Sequence, residues 1–125
     1  MKKALLMVLM GLALVSCKVN VDDDKGSIAV RNESGNENLV ITAVYVMEKG
    51  TSGYNLVSTC SVKDGRSQFV EQKSGEYSVK VAVTSYVLDV PYQVKYYDTG
   101  YNNYRKLKED GFLRVVFDGS GIYFE

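Results

Sequence analysis

Apolar and polar residues alternate along most of this chain, and the alternation predicts β-strands. The clearest case is the run 76–87, EYSVKVAVTSYV. One set of its alternate positions is apolar and the other is mainly polar: Tyr77, Val79, Val81 and Val83 against Ser78, Lys80 and Thr84. This pattern is typical of an antiparallel sheet with one face in a core and one in water.

Turn signals divide the chain into a series of such runs, which predict an all-β fold. The predicted strands cover residues 27–32, 39–48, 54–62, 67–72, 76–87, 92–97, 112–117 and 122–125. The run 39–48 is apolar on both faces, which predicts a central strand. Asp64-Gly65 predicts a type I′ hairpin, because that turn needs positive φ at both central residues. We predict one antiparallel β-sandwich of about seven or eight strands, with a small barrel as the alternative.

The one long irregular stretch, 98–111, is rich in tyrosine and asparagine together with the residues just before it. These residue types suit recognition loops, because they combine rigid aromatic area with adaptable hydrogen bonds. The candidate binding loop comprises Tyr97, Tyr101, Asn102, Asn103, Tyr104 and Arg105. Tyr92 and Tyr96 share one strand face, so core packing is the simpler interpretation of those two residues.

The first 16 residues predict an export signal. Met1-Lys2-Lys3 is positively charged, and residues 4–15 are apolar apart from Gly11. As a helix this apolar run would span only about 18 Å at ~1.5 Å per residue, against about 30 Å for the hydrocarbon core of a bilayer. A short apolar run after a positive start is typical of a secretory signal peptide.

The four residues Leu14-Val15-Ser16-Cys17 resemble the lipobox of bacterial lipoproteins. The resemblance implies cleavage between Ser16 and Cys17, a diacylglycerol thioether on Cys17 and attachment to a membrane through the lipid, since two or more acyl chains anchor firmly. An ordinary signal peptide cleaved nearby is the alternative. The predicted organisation is a signal peptide at 1–16, a lipidated cysteine with an acidic tether at 17–26, and a β-sandwich domain at 27–125.

Lipidation of Cys17 would leave Cys60 without a disulfide partner in the same chain. Cys60 falls on the more apolar side of the predicted strand 54–62. We therefore expect it to pack in the core, because free cysteine behaves as a small hydrophobe. An intermolecular disulfide or a redox role is the alternative.

Composition argues against several function classes. The 15 basic and 15 acidic residues become 13 and 15 when Lys2 and Lys3 are removed, a formal charge of −2. We expect no nucleic-acid partner from so balanced a chain. The sequence has no histidine, which excludes Ser-His-Asp and Cys-His catalysis and the usual zinc sites. We predict no enzyme activity, no cofactor and no metal site, although Asp22–Asp24 could bind cations loosely.

The runs SIAVRNESGNENLVITAVYV, SVKDGRSQFVEQKSGEYSVKVAV and LRVVFDGSGIYFE resemble small bacterial lipoproteins with an immunoglobulin-like or transthyretin-like sandwich. The fold by itself gives no function. We predict a non-enzymatic binding or interaction module, displayed on the lipid anchor at the cell envelope, that contacts a protein, glycan or envelope component. The alternative is a structural or assembly lipoprotein that contacts membrane machinery or copies of itself. The aspartates soon after the cysteine resemble signals that, in several bacterial groups, send lipoproteins to the cell surface. Lys18 stands directly after Cys17, where enteric bacteria use an aspartate to retain lipoproteins in the inner membrane. The resemblance therefore implies the outer membrane.

Overall fold

The computed structural model describes residues 24–125, and within that range the chain folds almost entirely into β-strands. Nine strands follow one another: β1 (Lys25–Asn32), β2 (Leu39–Glu48), β3 (Asn55–Val62), β4 (Ser67–Lys73), β5 (Gly75–Val87), β6 (Val90–Asp98), β7 (Arg105–Leu107), β8 (Phe112–Phe117) and β9 (Ile122–Phe124). The all-β prediction is confirmed, and the predicted range 39–48 coincides with β2.

The strands form two sheets that pack as a sandwich. One sheet has four strands in the order β9-β8-β1-β4. The other has five, in the order β3-β2-β5-β6, with the short β7 also paired to β5. All neighbours are antiparallel except β1 and β8, which run parallel. The predicted antiparallel sandwich is confirmed apart from this one parallel pair, which joins the first strand of the domain to a strand near its end.

The core lies between the sheets and is built mainly from valine and isoleucine. Strand β2 is buried on both faces, as expected for a central strand. Strand β5 turns Tyr77, Val79, Val81 and Val83 into the core, as the alternation predicted. Its opposite face is drier than predicted, however, because Ser78 and Thr84 are also buried.

The link between β3 and β4 is the clearest wrong prediction about the fold. Asp64-Gly65 does not close a hairpin, because β3 belongs to the five-stranded sheet and β4 to the four-stranded one. Only Gly65 of this pair has positive φ, at 82°. The physical reason is Asn32, which is buried and whose side-chain amide donates to the carbonyls of Leu39 (2.8 Å) and Val62 (2.9 Å). Asn32 thereby holds the chain where it crosses between the sheets.

Two element boundaries also differ from the prediction. Strand β1 begins at Lys25, so the last two residues of the predicted tether 17–26 belong to the domain. A Cβ on Gly26 would lie 2.5 Å from the carbonyl oxygen of Lys108, and glycine alone permits that approach. The stretch 98–111 contains β7, which pairs with residues 75–77 of β5 and covers that part of its edge. Residues 1–23, with Ser16 and Cys17, lie outside the described range.

Candidate interaction surface

The β5–β6 hairpin carries the largest concentration of exposed apolar side chains in residues 24–125. Its strands pair from Lys80 and Asp98 to the closing pair Val87 and Val90. Six large hydrophobic side chains along it face solvent: Val87, Leu88, Val90, Tyr92, Val94 and Tyr96. We call residues 87–96 the apolar arm. Exposed apolar side chains concentrated on one element make the arm a candidate contact surface.

The turn at the tip of the apolar arm is strained. Leu88 and Asp89 have φ values of 51° and 63°, the left-handed pair that a type I′ turn requires. A residue other than glycine, asparagine or aspartate in this region costs about 1–2 kcal/mol. Leu88 has no polar group to offset that cost and is 92% exposed. The tip therefore presents an apolar side chain at a position where asparagine or glycine would fold more easily.

The tip lies at the far end of the sandwich from the start of the domain. Tyr86, just before the tip, donates its backbone N–H to Asn38, in the loop that follows β1. The domain starts at the other end of β1, and its eight residues span about 26 Å at ~3.3 Å per residue. A partner at the tip would therefore meet the domain about one strand length from its amino terminus.

Beside the arm, the outer face of the five-stranded sheet carries one lysine among three tyrosines. The Nζ atom of Lys80 lies 4.9 Å from the ring centroid of Tyr45, 4.9 Å from that of Tyr54 and 5.3 Å from that of Tyr96. All three distances are within the ~6 Å range of cation–π attraction. We call Lys80, Tyr45, Tyr54 and Tyr96 the lysine–tyrosine cluster. It joins β2, β5 and β6 to the segment before β3.

The cluster is fixed by a small hydrogen-bond network beneath it. The hydroxyl groups of Tyr54 and Ser78 are 2.7 Å apart, and those of Ser78 and Thr99 are 3.0 Å apart. Asn103 donates its side-chain amide to the Thr99 carbonyl at 2.6 Å. Burial raises the pKa of Tyr54, while the Ser78 hydrogen bond partly lowers it. Burial also raises the pKa of Tyr45, so both phenols stay neutral at physiological pH.

The residues of the predicted binding loop do not form one surface. Tyr101 and Asn102 are exposed at the loop tip, whereas Asn103 is used in the network above. Tyr97 packs on Phe117 of the opposite sheet, with ring centroids 5.2 Å apart. The remaining residues are the partly buried Tyr104 and Arg105, whose guanidinium lies 5.1 Å from the Phe124 ring centroid.

Tyr92 and Tyr96 do not pack in the core, which was the simpler interpretation of these two residues from the sequence. Both are exposed on the edge strand β6, so packing in the core is wrong for this pair. No local sequence pattern indicates the lysine–tyrosine cluster, because its members are distant along the chain. The cluster follows from the register of the sheet. Tyr45 and Lys80 are directly paired across β2 and β5, and paired residues share a face.

Cys60 is half-buried, at the margin of the core. Its thiol lies 3.6 Å from the Ile41 carbonyl oxygen, and burial raises its pKa. Two register shifts between β2 and β3 disturb the alternation of β3, so Val57 and Cys60 pack against the core while Leu56 is exposed. Cys60 therefore does lie on the side of β3 that meets the core, although the regular alternation of this strand is interrupted.

The outer face of the four-stranded sheet carries the exposed rings of Phe69 and Phe112, with centroids 6.3 Å apart. It carries a shallow cavity of about 240 Å³ between Arg31, Arg114 and Phe69. A second cavity, of about 300 Å³, lies near the arm between Asn38, Lys63 and Asp89. Within residues 24–125, no group of three or more histidine, cysteine, aspartate or glutamate side chains is placed to hold a metal ion.

In the part of the chain that the structure describes, no helix is long and apolar enough to cross a membrane. No protein-family model matches the sequence, and no curated protein sequence does either.

Proposed function

We propose that this chain is a membrane-anchored bacterial lipoprotein whose β-sandwich is a non-enzymatic interaction module at the cell envelope. The anchor is argued from the sequence Leu14-Val15-Ser16-Cys17. The interaction role is argued from one observation, the concentration of exposed apolar side chains on the arm. The expected site of attachment is the outer membrane.

Three features of the arm support a role in contact. Its tip keeps an exposed leucine in a strained turn, and strain of this kind persists where function requires the residue. Its strand β6 is a sheet edge with unpaired backbone groups. The adjoining lysine–tyrosine cluster adds aromatic area that is already ordered, which lowers the entropy lost on binding. These features suit a protein surface, and the exposed tyrosine rings also suit the apolar face of a sugar.

A second candidate is a structural or assembly lipoprotein that contacts copies of itself. The observation that favours it is the same open edge of β6, because an unpaired strand is a template for another strand. The two candidates share the contact surface and differ in the partner.

The contact surface is tested by photo-crosslinking in intact cells. A photoactivatable phenylalanine analogue would replace Tyr96 on the arm or, as the control, Phe69 on the other sheet. The two side chains are matched in exposure, at 59% and 60%. We expect protein adducts of the full-length chain from position 96 and few from position 69. Equal yields at both positions, or none at 96, would reject the arm as the contact surface for a protein.

The anchor is tested separately by Cys17→Ala in the full-length chain, with Cys60→Ala as the matched cysteine control. We expect loss of membrane association for the first variant only. A Cys17→Ala chain that still sediments with outer-membrane fractions and enters the detergent phase would contradict the lipid anchor.

A further inference from the structure

Strand β6 offers backbone hydrogen-bonding groups that the domain itself leaves unused. The Thr99 N–H donates to the Val79 carbonyl, and the Tyr86 N–H donates to Asn38 on the opposite side of β5. Residues of an antiparallel pair alternate between hydrogen-bonded and non-hydrogen-bonded positions. The odd-numbered residues of β5 therefore direct their backbone N–H and C=O groups toward β6. Among them, Val81 pairs with Tyr97 and Val83 pairs with Lys95.

It follows that the backbone groups of the even-numbered residues in the regular part of β6 point away from β5. Val94 and Tyr96 direct their N–H and C=O groups to the open edge, because their neighbours on β6 use the β5 side. The ladder is regular over residues 93–98, since the single register shift lies beside Tyr92. Pro91, which has no N–H to donate, lies outside this regular part.

From this geometry we infer that β6 pairs antiparallel with β6 of a second copy of the same chain, about a two-fold axis at Val94. Strand β6 runs from Val90 to Asp98, so Val94 is its midpoint. With this axis, the Val94–Val94 and Gln93–Lys95 pairs between the copies lie in the regular part of β6, and the tip of one hairpin reaches only as far as Asp98 of the other. The inference rests on the proposed function in one respect, that β6 is the contact surface.

Charge favours this register over the one with the axis at Lys95. With the axis at Val94, Lys95 of one copy lies opposite Gln93 of the other. An axis one residue away, at Lys95, would set two lysines directly opposite each other, which is destabilising. Lys95 and Gln93 are exposed in the single chain, and pairing at the edge leaves their side chains in water.

The outer face of the joined sheet would also be favourable. Val94 would lie beside Val94 of the second copy, with Tyr96 of each copy near Tyr92 of the other. Aromatic and β-branched side chains stabilise each other when they are cross-strand neighbours. An interface of identical patches is the common isologous arrangement of homodimers.

The test is oxidative crosslinking of full-length Val94→Cys in membranes. Opposed residues of a hydrogen-bonded pair have Cα atoms about 5.5 Å apart, within the range of a disulfide. We expect a reducible product of doubled mass. Leu56→Cys on β3 is the matched control, since Leu56 is 53% exposed and Val94 49% on the two edges of one sheet. The unsubstituted chain measures the background from Cys17 and Cys60.

Register is tested with two co-expressed copies that carry different tags. Gln93→Cys in one copy and Lys95→Cys in the other should crosslink, while each substitution alone should give little product. Val94→Lys places like charges at the axis and should abolish the crosslinks made by the Gln93→Cys and Lys95→Cys pair.

Three results would overturn the inference: no doubled product from Val94→Cys, equal product from Leu56→Cys, or a product that contains a different protein. The last result, together with adducts from position 96, would leave the proposed contact surface standing and reject only the second copy. Loss of adducts at position 96 would instead reject the proposed function.

Discussion

The two edge strands of the five-stranded sheet, β3 and β6, are protected from unwanted pairing to different degrees. Strand β3 has two register shifts against its neighbour and alternates poorly. Strand β6 has one shift, near the hairpin tip, and a regular ladder beyond it. Bulges that distort an edge are a common protection against strand addition. The contrast teaches that, of the two edges, only β6 presents a regular strand that no other described strand pairs with on its outward side.

The same two strands are also held to the core differently. Strand β3 contributes Val57, Cys60 and Val62 to the core or its margin. In the described part of the chain, β6 contributes only Tyr97. The open edge is therefore fixed mainly by its ladder with β5 and by one ring contact. A change on the outward side of β6 should therefore disturb the core less than a change on β3.

The largest expected effect comes from removing the ring that holds β6. Phe117 is fully buried and packs on Tyr97. Phe117→Ala should lower the free energy of unfolding by about 3–5 kcal/mol, the usual range for a buried aromatic. Urea unfolding followed by tyrosine fluorescence measures it. We also expect faster amide exchange along β6 than along β3.

Phe112→Ala is the control for that substitution. Phe112 is exposed on the four-stranded sheet, so its loss should cost less than about 1 kcal/mol. Equal losses for the two variants would show that the Phe117 contact does not hold β6. Unchanged amide exchange along β6 in Phe117→Ala would show that the hydrogen-bonded ladder with β5 holds this strand without the ring contact.

A matched pair of isosteric substitutions compares the edges directly. Val62 on β3 is 2% exposed, whereas Val94 on β6 is half-exposed. Val62→Thr buries a hydroxyl group and should cost about 1–3 kcal/mol. Val94→Thr should change stability by less than about 0.5 kcal/mol. Thermal unfolding at low protein concentration measures both, and a larger loss at Val94 would reverse the comparison.

Local patterns in the sequence predicted most strands, because alternation depends only on neighbouring residues. The range of β2 and the core face of β5 follow from that alternation. The Asp64-Gly65 hairpin was wrong, since the outcome depended on the distant, buried Asn32. The strand order could not be predicted for the same reason: pairing of β1 with β8 depends on contacts across the whole domain.

The candidate surface was less predictable than the fold. The tyrosine-rich stretch was recognised, but the sequence cannot show that Tyr97 faces the core while Tyr96 faces solvent. That distinction follows from the register between β5 and β6. The lysine–tyrosine cluster combines four segments of the chain, and nothing in any single segment indicates it.

Cys60 tests how tightly β3 is held at its margin. Burial raises the pKa of its thiol above the ordinary value of 9.0, so less thiolate is present at pH 8 than in an unfolded chain. We expect slow labelling by a maleimide, localised by peptide mass spectrometry, and fast labelling of Thr59→Cys on the exposed side. Rapid labelling of native Cys60 would show that the edge opens.

The sign of the pH effect follows from the same shift. A raised pKa in the folded state means that stability linked to Cys60 is fully present below pH 9 and is lost as pH rises past 9.0. Cys60→Ser should remove this dependence. It should also lower the free energy of unfolding by about 1 kcal/mol, because a more polar group is then partly buried. The loss stays small because the serine hydroxyl can still donate to the Ile41 carbonyl.

The smallest expected effect is a gain in stability at the tip of the open edge. Leu88→Asn places a residue that tolerates positive φ at the first position of the type I′ turn. We expect a gain of about 0.5–1 kcal/mol in thermal unfolding, since part of the left-handed penalty is removed. Tyr101→Asn, at an exposed site without positive φ, controls for the general effect of asparagine. If the tip contacts a partner, Leu88→Asn should at the same time reduce the crosslinking yield from position 96. A more stable variant with undiminished crosslinking would mean that the exposed leucine is not part of the contact.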